Sequence, residues 1–189
     1  MPRRFFSRPT LQVARALLGQ RLVIETNGER LAGLISETEA YIGQDDLACH
    51  ARFGLTPRSR LMFGTPGHAY IYLNYGVHWL LNIVTEPAGS PAAVLIRAIL
   101  PEAGLASMQA RRGPRAAPGH LTDGPGKLTQ ALGIDQALNG QDLCAPRAGL
   151  FVERAPAVAE ANVRQGPRIG LNNTPEPWKS TPWRFTLAN

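Results

Sequence analysis

Residues 21–41, RLVIETNGERLAGLISETEAY, decide the fold. Two runs rich in branched apolar residues, Arg21 to Thr26 and Leu31 to Ile35, flank Asn27-Gly28, the dipeptide that best tolerates the positive φ angles of a tight hairpin turn. The chain therefore starts an antiparallel sheet, and its second strand runs directly into Ser36-Glu37-Thr38-Glu39-Ala40-Tyr41. If the strand continues that far, alternation puts Ile35, Glu37, Glu39 and Tyr41 on one face and Leu34, Ser36, Thr38 and Ala40 on the other.

Upstream, Val13, Ala14, Leu17 and Leu18 fall at helical spacing, with Ser7 as a cap, Pro9 in the first turn and Gly19 as a stop. Downstream, Ala69 to Leu73 and Trp79 to Thr85 surround Asn74-Tyr75-Gly76-Val77-His78, a second hairpin with Tyr75 at or near its tip. Ala93 to Leu100 reads as an interior strand interrupted by one charge, Arg97. Pro and Gly punctuate the region from Gly113 to Gly126, which with Arg111, Arg112 and Arg115 reads as an exposed loop. Leu128, Ala131 and Leu132 predict a short helix opening at Pro125-Gly126-Lys127, and Pro182 to Phe185 predicts a late strand.

A chain of 189 residues with 44% hydrophobic content has enough apolar surface for one full core, hence one domain. Twenty Lys and Arg against 14 Asp and Glu give a formal charge of +6 and a pI near 10.0, a balance that favours a polyanionic partner. Lys127 and Lys179 are the only lysines, so an enzyme of this composition that cleaved a sugar–base bond would more simply use water than a Schiff base. Cys49 and Cys144 lie far apart with no ligand-like spacing, which points to free thiols. No run approaches the roughly 18 apolar residues of a membrane span, and the start lacks the apolar core of a signal peptide. These features predict a cytoplasmic protein.

The chemistry-bearing residues converge on a pocket for a flat ring. Cleavage of an N-glycosidic bond builds oxocarbenium character on the sugar, and a nearby carboxylate can stabilise that charge and take a proton from the attacking water. Glu37 or Glu39 suits the task. Residues two apart on one strand face are separated by only about 6.6 Å, so a glycoside-hydrolase pair is a rival reading. Arg97, in a strongly apolar strand, needs a partner such as a carboxylate if it is buried. Tyr41, His50, Tyr70 and Tyr72 supply rings, and Asn82 can read the hydrogen-bonding edge of a base. Tyr75 is placed to wedge into a base stack. Thr56-Pro57-Arg58-Ser59-Arg60 and the helix start at Gly126-Lys127 can grip phosphates. Gly124-Pro125-Gly126-Lys127-Leu128 lacks the spacing and hydroxyl residue of a P-loop, which excludes an NTPase of that type.

In order along the chain, Glu37-Thr38-Glu39-Ala40-Tyr41, Asp46-Leu47-Ala48-Cys49-His50, Thr56-Pro57-Arg58-Ser59-Arg60, Tyr70-Ile71-Tyr72-Leu73-Asn74-Tyr75-Gly76, Asn82-Ile83, Leu95-Ile96-Arg97-Ala98, Gly124-Pro125-Gly126-Lys127-Leu128 and Arg168-Ile169-Gly170 resemble the alkyladenine (3-methyladenine) DNA glycosylase family, the vertebrate-type enzymes and their bacterial relatives. The resemblance implies a single α+β domain over residues 1–189 with a curved, largely antiparallel sheet, flanking short helices and a protruding β-hairpin. It implies that Glu39 is the general base, with Arg97 and the Ile169 carbonyl holding its water. Tyr41, His50 and Tyr72 would sandwich a flipped base, the His50 amide would read its edge, Asn82 would obstruct the 2-amino group of guanine, and Tyr75 would fill the gap in the duplex. Thr56, Arg58, Arg60 and Lys127 would hold the DNA backbone.

The implied activity is release of damaged purines (3-methyladenine, 7-methylguanine, hypoxanthine, ethenoadenine) from double-stranded DNA by a monomer without metal or cofactor, nucleoid-associated if bacterial. The connection Ala51 to Leu55 is shorter than in vertebrate-type members, and Val77-His78 replaces larger apolar residues beside the wedge. A binding module that keeps the fold without chemistry is the second rival.

Overall fold

Asn27 and Gly28 adopt φ of 51° and 76°, closing β1 (Arg21–Thr26) onto β2 (Glu29–Ile42) in the expected hairpin. The computed structural model describes residues 1–145 and 149–188. Beyond β2 lie β3 (Ala69–Asn74), β4 (His78–Val84), β5 (Ala92–Ala103), β6 (Leu150–Glu153), β7 (Val163–Gly166) and β8 (Arg184–Leu187). They form an open, eight-stranded antiparallel sheet in the order β3-β4-β5-β2-β1-β6. Beyond the first residue of β1, Arg21 opposite Leu34, β8 takes its place beside β2 at Glu37 to Glu39, with β7 outside it. The segment carrying both glutamates thus has a strand on each side.

Short helices flank the sheet: α1 (Arg3–Phe6), α2 (Thr10–Leu17), α3 (Leu105–Arg112) and α4 (Pro125–Leu132). The main core joins Val13, Ala14 and Leu17 of α2 and Leu128, Ala131 and Leu132 of α4 to Ile71, Leu81, Ile83, Val94 and Ile96 of the sheet. A smaller cluster on the opposite face includes Cys49, Ala51, Met62, Tyr70, Val84 and Ala93. That face carries the candidate site. The α+β architecture is the one expected.

The strand alternation expected for β2 breaks at one point. Ile35 pairs with Ile99, Glu37 with Ala98 and Thr38 with Ile96, so Ser36 on β2 and Arg97 on β5 are each left without a partner. Each extra residue reverses the side-chain alternation of its strand. Ile35 therefore faces the main core with Ala40, and Thr38 shares that face, its hydroxyl bonding to the Ala14 carbonyl of α2 at 2.9 Å. Glu37, Glu39 and Tyr41 keep to the other face. The two bulges offset each other, and the ladder continues in register to Ile42.

Other local expectations shift for identifiable reasons. Ser7 closes α1, its hydroxyl bonding to Arg3 O at 3.0 Å, and Pro9 occupies the cap position of α2. Gly19 follows α2 with φ 76°, packed so tightly on Val158 that a Cβ would lie 2.3 Å from its methyl. Arg111 and Arg112 end α3 rather than lying in a loop. The last strand starts at Arg184, two residues later than predicted, after Pro182, which has no N–H for a ladder. No helix among the described residues is long and apolar enough to cross a membrane.

Candidate active site

Glu39 is fully buried, and both of its oxygens are engaged. Oε1 accepts the backbone N–H of Ile169 at 2.7 Å and lies 3.3 Å from Arg97 Nη1. Oε2 accepts the Tyr41 hydroxyl at 2.8 Å. Burial pushes the carboxyl above its ordinary range, against the opposing pull of Arg97, the Ile169 N–H and the Tyr41 hydroxyl. A carboxylate tuned upward in this way is a better proton acceptor than a solvated one.

Glu37 is held differently. Its Oε1 accepts from Arg97 Nε at 3.0 Å and from Arg184 Nη1 at 3.1 Å. Arg97, with only 11% of its side chain exposed, thus has the carboxylate partners that its position in an apolar strand demands. Its bulge in β5 turns the guanidinium onto the glutamate face.

Above this charge cluster opens a cavity of about 500 Å³ bordered by Tyr41, His50, Tyr72, Asn82, Arg97 and Ile169. The His50 and Tyr72 rings meet edge to face, with centroids 4.6 Å apart and planes at 77°. His50 Nδ1 lies 2.8 Å from the Tyr70 hydroxyl. Burial, together with Arg58 and Arg52, pushes the His50 imidazole down to about 4, so the ring is neutral near pH 7. Burial keeps the Tyr41 phenol protonated and therefore a donor to Glu39. Asn82 is nearly buried and donates to the Tyr70 carbonyl at 3.1 Å. The other wall is the N-terminal end of α4, where Gly126 lies so close to His78 that a Cβ would meet its ring at 2.8 Å.

The hairpin of β3 and β4 carries Tyr75 at its tip, 89% exposed with φ 50°. An aromatic ring displayed on a left-handed turn contributes nothing to a core. A basic protein thus sets an exposed tyrosine at the rim of an aromatic cavity, with a buried glutamate beneath it.

Residues 4–189 match the profile of the family described as methylpurine-DNA glycosylase. The chain belongs to that family. A protein of Methanocella arvoryzae is 52% identical over 190 residues, covering 100% of this chain and 92% of its own length. One from Myxococcus xanthus is 48% identical over 189 residues, with 100% and 90% covered. One from Carboxydothermus hydrogenoformans is 46% identical, with 100% and 95% covered. All three are named, provisionally, as 3-methyladenine DNA glycosylases.

The residues that the resemblance to this glycosylase family singled out are brought together to different degrees. Tyr41, His50, Tyr72, Tyr75, Asn82, Arg97, Lys127 and Ile169 all border the one cavity, with Glu39 beneath it. At Ile169 the contact with Glu39 is made by the amide N–H, whereas the expected role lay with the carbonyl. Thr56, Arg58 and Arg60 sit outside the cavity. Thr56 caps the turn through Ser59, and Arg58 lies 5.0 Å above the Tyr72 ring and bonds to the Leu73 carbonyl at 3.3 Å. Arg60 is exposed, and Lys127 is ion-paired with Asp123 at 2.8 Å. His78 and Arg112 also border the cavity and were not singled out. A helix start and a hairpin arm meet there, a contact that no local pattern announces.

Proposed function

We propose that this chain is a monofunctional DNA glycosylase of base-excision repair, acting as a monomer on duplex DNA. It turns a damaged purine out of the duplex and hydrolyses the bond to deoxyribose, leaving an abasic site. The substrates proposed are 3-methyladenine, 7-methylguanine, hypoxanthine and ethenoadenine.

The observation that carries the reading is the Glu39 carboxylate, fully buried under an aromatic cavity and raised in basicity by that burial. Glu39 takes a proton as water attacks C1′, the C1′–N9 electrons leave with the purine, and Arg97 balances the carboxylate charge. Tyr41, His50 and Tyr72 stack on the extruded base, Asn82 excludes the 2-amino group of guanine, and Tyr75 occupies the vacated stack. Arg58, Arg60, Thr56 and Lys127 contact phosphates, for which Arg58 and Lys127 must exchange their present partners. Water is the favoured nucleophile because Lys127 is ion-paired and Lys179 lies outside the cavity. The carboxylate pair of a glycoside hydrolase is disfavoured, since Glu37 accepts from both Arg97 and Arg184 and is not free to act as acid or nucleophile.

The test is product analysis on duplexes that each carry one of the four lesions. The expected products are free purine and a strand that breaks only after alkali. Release from none of them, or strand scission without alkali, contradicts the proposal.

A further inference from the structure

Asp46 and Arg168 form an ion pair in which both side chains are fully buried. The contact is bidentate, Nη1 to Oδ2 at 2.5 Å and Nη2 to Oδ1 at 2.9 Å. Neither residue borders the cavity. A buried pair of this kind is a poor stability device, because apolar side chains of equal volume often serve as well or better. What it supplies is orientation, since a planar guanidinium on a carboxylate fixes both partners.

The bonds the pair makes reach three walls of the site. Arg168 Nη1 donates to Ala40 O at 3.0 Å, on the backbone between Glu39 and Tyr41, and Nη2 donates to Trp178 O at 3.3 Å. The guanidinium carbon lies 4.8 Å from the Tyr41 ring centroid and 5.0 Å from that of Trp183. Asp46 accepts the amides of Ile42 at 3.3 Å and Ala48 at 3.0 Å, and its carbonyl accepts from Cys49, so the turn leading to His50 is built on it. The residue after Arg168 is Ile169, whose N–H holds Glu39 Oε1.

We propose that Asp46 and Arg168 are positioning residues that lock the Ile169 amide, the Tyr41 ring and the His50 turn into one geometry around Glu39. This rests on the reading of Glu39 as the general base. The pair acts through its neighbours and touches neither base nor sugar. Groups facing Glu39 are Arg97 from β5, Glu37 and Tyr41 from β2, Tyr72 from β3 and the Ile169 N–H. When Ile169 drifts, the carboxylate loses one of the groups that oppose its desolvation. Its proton affinity then rises, and the acidic limb of the rate profile moves to higher pH.

The experiment is single-turnover excision at saturating enzyme across pH, on a duplex with one hypoxanthine, for wild type, Arg168→Lys, Asp46→Glu and Glu39→Gln. Lysine keeps the charge but not the fork. Glutamate keeps the pair but lengthens one arm, and it preserves the test if the lysine variant folds poorly. The plateau for Arg168→Lys is expected to fall on the order of 10²-fold, as for a small misplacement of a catalytic group. Its acidic limb should lie above that of wild type, and Asp46→Glu should change both in the same direction by less. Variants that melt at lower temperature but keep the wild-type plateau and limb overturn the proposal, because a merely structural pair behaves so. If those two match wild type while Glu39→Gln is inactive, only the positioning role falls. If Glu39→Gln is as fast as wild type, the base assignment falls and takes this inference with it.

Discussion

The guanidinium of Arg97 spans Glu37 and Glu39 of β2, with Nε 3.0 Å from Glu37 Oε1 and Nη1 3.3 Å from Glu39 Oε1. The fork is possible because Arg97 is the bulged residue of β5, opposite the bulge at Ser36. One cation thus keeps two carboxylates together on a largely buried face.

Arg97→Ala should therefore be among the more damaging substitutions in the chain. Removing one partner of a buried pair costs about 3–5 kcal/mol, and the loss should read as a lower urea midpoint. Arg97→Lys should recover only part, because a point charge cannot serve both carboxylates as a fork does. An alanine variant within about 0.5 kcal/mol of wild type, the range of an ordinary surface change, contradicts this account.

Glu39 has a stability cost with a definite sign. Its raised folded-state value means the native chain holds this proton at pH values where the unfolded chain has released it. Stability from this group is complete at low pH and falls as pH rises from the ordinary carboxylate range through the folded value. Glutamine cannot ionise, so Glu39→Gln should melt at a higher temperature than wild type near pH 8, with the gap closing toward about pH 5. Calorimetry at the two pH values checks it, and a gap that widens toward acid is the contrary result.

Tyr75 should separate binding from folding. With 89% of the residue exposed at the hairpin tip, Tyr75→Ala should change stability by no more than about 0.5 kcal/mol. Its affinity for a lesion duplex should fall while single-turnover chemistry at saturating enzyme falls less. Unchanged affinity measured by anisotropy removes the wedge role.

Asn82→Ser should relax the rejection of guanine. The shorter side chain opens the cavity floor and loses the bond to the Tyr70 carbonyl, at a cost of about 1 kcal/mol. Release of guanine from undamaged DNA, followed by chromatography, should rise relative to release of hypoxanthine. An unchanged ratio means Asn82 is not the steric gate.

Local signals carried much of this architecture. Asn27-Gly28 specified the first hairpin, Tyr75-Gly76 the tip of the second, and the lone charge at Arg97 announced its carboxylate partner. The double bulge was hidden, because strict alternation is the default reading of a strand and the pairing that displaces Ser36 and Arg97 is between residues about 60 apart in sequence. For the same reason strict alternation places Ile35 on the wrong face. Short elements such as α1, β6 and β7 draw their stability from distant neighbours and have too few residues for a period. Arg58 and Lys127 read as free cations, yet their intramolecular partners, the Tyr72 ring and Asp123, are visible only in three dimensions or by testing each acid nearby. Asp46 and Arg168, 122 residues apart, gave no sign of meeting.

The most direct test of the central claim is single-turnover release of free hypoxanthine from a duplex with one such base, comparing wild type with Glu39→Gln, with lesion binding measured for both. Release by wild type and none by a glutamine variant that still binds is the predicted result. Release at equal rates by both proteins would contradict the assignment of Glu39 as the base that activates water.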